Sequence, residues 1–305
     1  MREIYLSYQF VKYDITATVL QAMLVMLATH VKGATSASST MTAPLWQSMP
    51  GTFLWAWLFA YVVTLANQAH GAEEDAVNKP TRPIPSGDVT VKGAYYRLVW
   101  VCCLFVLFGA CQQQAAMAGL LSVVWVASSL TLNLWRPALA HLHWLMKPIV
   151  MMIGTFVLTM VPASMANPAA MHHRPTLFYM AAVSLASGAL ALCIQDLRDV
   201  EGDKRWSATS DDESLRRLTL PILLGDMPAR YLCSFLMLMA WVILHGALMV
   251  LAHRYNLATS ICFLALSILL CFRTLFMRSP SQDHHTYLLL VYLVGFCQFA
   301  YLWVV

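Results

Sequence analysis

Hydrophobic positions in this chain of 305 residues run in continuous blocks and do not alternate. Blocks rich in Leu, Val, Met and Ala occupy about residues 13–31, 51–69, 94–111, 114–134, 145–164, 175–197, 230–252, 257–277 and 285–304. A helix needs about 20 apolar residues to cross a hydrocarbon core, whereas a membrane-spanning barrel would show alternation. The pattern therefore predicts an all-α integral membrane protein with nine transmembrane helices in a single unit over residues 1–305. The third and fourth blocks are divided only by Cys111-Gln112-Gln113-Gln114, which reads as a tight turn, and the fifth ends near Pro162.

Composition agrees and excludes alternatives. Hydrophobic residues make up 59%, charged residues 11%, and the mean hydropathy is +0.63. An ordinary soluble domain carries about 25% charge, so a soluble enzyme, a disordered chain and a basic nucleic-acid binder are ruled out. The lipid bilayer is the first partner implied; neither nucleic acid nor an obligate protein partner is. The eight cysteines lie in apolar runs without a CxxC pair, which reads as packing rather than a disulfide or zinc framework. The first block lacks a small-residue cleavage site and reads as a retained span.

Charge placement adds orientation. With nine spans, sixteen of the 19 Lys and Arg fall on the side of the N-terminus, leaving Lys32, Arg174 and Arg254 on the other. This asymmetry predicts a cytoplasmic N-terminus and the C-terminus opposite. All 15 acids share the cytoplasmic side, and twelve of them crowd into two connections, Glu73 to Asp88 and Asp196 to Asp226.

The first cluster follows the second block. If that helix continues to about residue 78, Asn67, Glu74 and Asn78 share a face with Asp75 on its flank, while Glu73 points away. The Pro-rich segment behind it forms a loop presenting Arg82. In the second cluster Asp196, Asp199 and Asp203 stand at i, i+3 and i+7, one stripe of a helix. Like charges at that spacing repel. A hard cation such as Mg2+, held by a few carboxylates and substrate phosphates, would relieve the repulsion. Interleaved Lys79, Arg82, Arg198 and Lys204 would donate to phosphate oxygens. These residues point to a Mg2+–diphosphate site at the cytoplasmic mouth of a helical bundle, where juxtamembrane carboxylates mark function. Asn67, Glu74, Asp75, Asp196, Asp199 and Asp203 are the candidate metal ligands, with Asp75, Asp196 and Asp199 as the catalytic carboxylates.

The run from Asn67 to Asp75, followed by Asn78-Lys79-Pro80-x-Arg82-Pro83-Ile84-Pro85-Ser86-Gly87, resembles the first signature of the UbiA superfamily of intramembrane prenyltransferases. Asp196-x-x-Asp199-x-Glu201-Gly202-Asp203, with Thr219-Leu220-Pro221 downstream, resembles the second. The resemblance implies nine helices around a central, lipid-open cavity with a cytoplasmic cap, and Mg2+-dependent ionisation of an isoprenyl diphosphate. Two departures stand out. The position four after Asn67, usually Asp, is Gly71. The Tyr-x-x-x-Lys element after the fourth helix is not intact; Trp135 to Leu139 occupy that region, with Arg136 and Lys147 the nearby cations. With Lys12-Tyr13-Asp14 ahead of the first span, the pattern looks most like the membrane terpene cyclases of the superfamily.

Three readings follow. A cyclase converts an isoprenyl diphosphate, farnesyl diphosphate as first choice, into a terpene with Mg2+ alone. An acceptor prenyltransferase needs an aromatic or other lipid acceptor. A transporter or scaffold would tolerate loss of Asp196. Tyr292, Phe296, Phe299 and Trp303 form an aromatic stripe that would serve helix packing, interfacial anchoring or the guidance of a cation, and either His70 or released diphosphate would take the terminal proton. Loop placement, not metal binding, is expected of the His141/His143 and His172/His173 pairs. Ser210 to Glu213 fit a capping box for a short lid helix.

Overall fold

A computed structural model describes residues 2–35, 44–112, 115–134, 142–168, 174–191, 194–209, 218–251 and 257–304. Among the described residues the regular structure is helical throughout, without strands. The elements are α1 (Arg2–Val11), a π-helical turn (Thr16–Leu20) continuing into α2 (Gln21–Thr35), α3 (Leu45–His70), α4 (Ala72–Asn78), α5 (Val91–Ala110) and α6 (Ala115–Leu134). Then come α7 (His143–Ala166), α8 (Arg174–Ala191), α9 (Ile194–Leu197), α10 (Val200–Thr209), α11 (Leu220–Leu224), α12 (Asp226–Leu251), α13 (Leu257–Phe276) and α14 (Pro280–Val304).

The long helices pack in chain order, α2 on α3, α3 on α5, α5 on α6 and onward through α7, α8, α12, α13 and α14. Helix α14 returns against α2 and closes a ring. Five described helices are long and apolar enough to cross a membrane: Leu45–His70, Val91–Ala110, Ala116–Asn133, Trp144–Ala166 and Asp226–Ala247. A sixth is counted if Arg2–Val11 and Thr16–Val31, bent by 79°, form one span. The nine crossings expected from the sequence are thus reproduced only in part. Among the described residues α8 and α13 contribute the apolar stretches Leu177–Ala186 and Ser260–Phe276.

Aromatic packing fixes one half of the ring. Phe59 of α3 stacks on Trp125 of α6 at 4.2 Å between centroids, and Trp125 Nε1–H donates to the Phe59 carbonyl at 3.1 Å. Trp55 Nε1–H donates to Ser122 Oγ at 3.2 Å. Helix α7 passes so close that a Cβ on Gly154 would lie 2.6 Å from the Trp125 ring, which explains glycine there. At the edge of this half, α1 buries Leu6, Phe10 and Val11. Gln68 Nε2–H donates to the Phe10 carbonyl at 3.3 Å, which ties α1 to the end of α3.

Candidate active site at the charged end of the bundle

The first acidic cluster is built by a nearly unbroken continuation of α3. Gly71 caps α3, its N–H donating to the Asn67 carbonyl at 2.8 Å, and α4 starts at the next residue. Continued helical rotation buries Glu74 and Asp75 and leaves Glu73 exposed, as the sequence periodicity expects. Asn67 is half-buried two helical turns before Glu74. The Pro-rich turn after α4 then brings Arg82 back onto Asp75, with Nη1 at 2.9 and 2.8 Å from its two carboxylate oxygens.

The second cluster departs from the expected continuous helix. Helix α9 stops at Leu197 and α10 begins at Val200, so the carboxylate stripe breaks in its middle, at Arg198 and Asp199. Repulsion among three aligned carboxylates works against an unbroken helix. Turn hydrogen bonds keep the stripe together all the same: Asp199 N–H donates to the Asp196 carbonyl at 3.2 Å and Asp203 N–H to that of Asp199 at 2.9 Å. Asp196 and Asp203 are buried, and Asp199 faces the first cluster.

Lys79 joins the two clusters, its Nζ lying 3.5 Å from Asp199 Oδ2. Arg198 Nε lies 3.5 Å from the same oxygen, and the Arg198 guanidinium sits 4.8 Å above the Tyr287 ring of α14. Arg198 Nη1 is 3.1 Å from His284 Nδ1. Lys147, near the start of α7, forms an ion pair with Asp196. Asp14, in the bend between α1 and the π-helical turn, lies in the field of Arg82, Arg198 and Lys79. Carboxylates and cations from five segments thus meet at one end of the bundle.

The charges perturb one another. Burial raises the Asp75 carboxyl above its ordinary range, opposed by Arg82. Burial alone would raise Asp199 too, but Lys79, Arg198 and Lys147 outweigh it and hold that carboxyl below the usual range. Burial lowers the Lys79 ammonium, opposed mainly by Asp199. Such opposed shifts among close groups mark functional sites.

Carboxylates are hard oxygen donors suited to Mg2+. Among the described residues no three His, Cys, Asp or Glu side chains converge as a ready metal cage. Asp75, Asp196 and Asp199 are instead held by cations that are themselves good phosphate donors. The set fits a metal that takes only one or two carboxylates and completes its shell with phosphate and water.

Of the residues read from the sequence, Glu74, Asp75, Lys79, Arg82, Asp196, Arg198, Asp199 and Asp203 lie in this region, and Asn67 borders it. Lys204 is exposed, and no hydrogen bond or ion pair among the described residues joins it to the others. Lys147, Asp14 and Tyr287 were not assigned to the site. A signal for Lys147 existed, because His143 precedes it by four residues, the Tyr-to-Lys spacing of the missing element. His70 approaches Tyr95, with 3.4 Å between Nδ1 and the hydroxyl. On the aromatic stripe of α14, Tyr292 and Phe296 are exposed, which fits interfacial anchoring and not the guidance of a cation. The side chains of Phe299 and Trp303, Arg136, the residues from Ser210 to Glu213, and the His pairs at 141/143 and 172/173 lie outside what the structure describes.

Comparison with known proteins agrees with this architecture. The chain is 32% identical over 291 residues to somaliensene A/B synthase of Streptomyces somaliensis, covering 94% of this chain and 88% of that protein. It is 36% identical over 251 residues to the diterpene cyclase eriG of Hericium erinaceus, covering 80% and 72%. A UbiA homologue from Archaeoglobus fulgidus, solved bound to DMAPP and Mg2+, shares the fold with a TM-score of 0.62 at 13% identity, covering 96% of this chain and 99% of that one. Residues 20–300 match the UbiA prenyltransferase family, and the chain belongs to that family.

Proposed function

We propose that this chain is a membrane-embedded terpene cyclase that ionises an isoprenyl diphosphate, farnesyl diphosphate as first choice, and closes the carbon skeleton within the same molecule. The observation carrying the reading is the Lys79–Asp199 contact, which draws both carboxylate clusters and their cations to one mouth. The names of the somaliensene synthase and diterpene cyclase relatives favour cyclisation over transfer to an acceptor.

In this reading Asp75, Asp196 and Asp199, with Asn67, Glu74 and Asp203, would hold Mg2+. When bound, Mg2+ neutralises diphosphate charge and makes it a better leaving group. Arg82, Arg198, Lys79 and Lys147 exchange their carboxylate partners for phosphate oxygens, while Lys204 approaches from the exposed side. Their N–H groups stabilise the charge that grows as the C1–O bond breaks and its electron pair leaves on the diphosphate. A distal double bond of the same substrate then attacks the allylic carbon, and transfer of a proton from the resulting cation to released diphosphate or to His70 leaves an alkene. The apolar bundle excludes the water that would quench the cation. The mouth faces the cytoplasm, with the C-terminus on the opposite side, because Lys and Arg concentrate on that face.

The test is incubation of the membrane-reconstituted protein with C10, C15 and C20 diphosphates and Mg2+, followed by gas chromatography–mass spectrometry. A cyclic hydrocarbon without added acceptor is expected. Turnover that begins only when an aromatic lipid is supplied would establish a transferase instead.

A further inference from the structure

Arg198 stands in the break between α9 and α10, outside either helix. An arginine side chain has many rotamers, and holding it in one of them costs entropy. Two side chains of α14 do the holding. His284 Nδ1 lies 3.1 Å from Arg198 Nη1, and the Tyr287 ring lies against the guanidinium, 4.8 Å from its centroid to Cζ. His284 and Tyr287 are three residues apart and share one face of α14. That face is fixed in turn, because Asp283 is buried and its Oδ2 lies 2.7 Å from Arg230 Nη2 of α12.

The chemistry of each contact sets what remains of Arg198. A guanidinium has only donors, so His284 Nδ1 must accept, which places the proton of a neutral imidazole on Nε2. Tyr287 meets the guanidinium through its π face and takes up no N–H. The Arg198 Nε–H is buried and makes no hydrogen bond among the described residues, with Asp199 Oδ2 standing off at 3.5 Å. An unmet buried donor is costly to keep. The fork of Nε and Nη2 matches two oxygens of a phosphate group. Neither His284 nor Tyr287 belongs to the carboxylate clusters or to the cations read from the sequence.

We propose that His284 and Tyr287 are positioning residues of the diphosphate site. They hold Arg198 in the rotamer that offers its Nε–Nη2 edge to a phosphate group, so its side-chain freedom is already spent when the ligand arrives. The inference rests on the reading of the charged mouth as a diphosphate site.

The test is calorimetric titration of the whole protein in lipid nanodiscs with inorganic diphosphate and Mg2+, which needs no turnover. His284→Ala/Tyr287→Leu releases both holds and should weaken binding by about 2- to 12-fold, the cost of ordering one long side chain. Tyr287→Phe keeps the ring, and His284→Asn keeps an acceptor in the place of Nδ1, so both should bind as the wild type does. His284 is itself exposed, so its substitution opens no core. In an Arg198→Leu background, where Lys79, Arg82 and Lys147 remain to bind, the double variant should cause no further loss. An unchanged affinity in the double variant would overturn the proposal. So would an equal loss with and without Arg198, which would mean that the two residues serve packing alone. Wild-type protein that binds no diphosphate would overturn the reading of the mouth as well, so the two failures are distinguishable.

Discussion

Two networks of charge occupy the same end of this bundle and are built differently. Around Arg230 of α12 everything is closed. Its Nη1 and Nη2 donate to the two oxygens of Asp283 at 2.8 and 2.7 Å, Nη1 also reaches the Thr274 carbonyl at 2.8 Å, and Nε reaches Asp226 at 2.8 Å. Arg230 and Asp283 are each 2% exposed, and together they bind α12, α13 and the start of α14. The network around Asp199 is loose: Lys79 and Arg198 share one oxygen at 3.5 Å each, with side chains of Lys79 and Asp199 about a third exposed, at 32% and 30%. A bidentate, desolvated pair has nothing left to offer a ligand. A longer, half-open pair can exchange partners at small cost, as the proposed diphosphate site requires.

The comparison breaks if the two networks respond alike to mutation. Asp199→Ala and Asp75→Ala should lower diphosphate release by about 10²- to 10³-fold, the size of a lost electrostatic contact in a catalytic centre. Thermal unfolding in detergent should hardly move for Asp199→Ala. Arg230→Ala should do the reverse. Removing one partner of a buried pair costs about 3–5 kcal/mol, so the unfolding midpoint should fall sharply, and Arg230→Lys should recover little because an ammonium lacks the planar fork. Comparable rate losses at native stability for both sites would erase the distinction.

Lys147→Ala sharpens it next. A charge-assisted hydrogen bond contributes about 1.5–3 kcal/mol, so diphosphate release should fall about 10- to 150-fold if Lys147 passes from Asp196 to phosphate. A Lys147 that served only packing would change stability and not rate. The smallest effect is expected at the rim. Glu3 accepts from Arg97 at 2.8 and 3.1 Å, and that contact lowers its carboxyl below the ordinary range, against a smaller opposing effect of burial. Its stabilisation is therefore present above the ordinary Glu range and lost as pH falls through the lowered value. Glu3→Gln should remove about 0–1 kcal/mol, seen as faster amide exchange in α1 at neutral pH that merges with wild type in acid.

How much of this could be read in advance differs from feature to feature. Helical rotation alone separates buried Glu74 and Asp75 from exposed Glu73, because a short segment continuing a helix obeys its period. The break at Asp199 was not visible, since spacing cannot say where repulsion interrupts a stripe. Arg230 and Asp283 stand 53 residues apart and meet only through the packing of three helices. The aromatic stripe on α14 shows a limit specific to membranes. Lipid and protein interior are both apolar, so periodicity defines a face without saying which medium it meets. Tyr292 and Phe296 face outward. Hydrophobic blocks mark helices for the same reason, and five of the nine blocks coincide with described helices long and apolar enough to cross a membrane.

The most direct test of the central claim is the rate of diphosphate release from a C15 isoprenyl diphosphate with Mg2+ and no acceptor, in wild type and Asp199→Ala. Release by the wild type, with a loss of at least about 10²-fold in a variant of native stability, is the predicted result. Equal rates in the two proteins would contradict the assignment of the charged mouth as the ionising site.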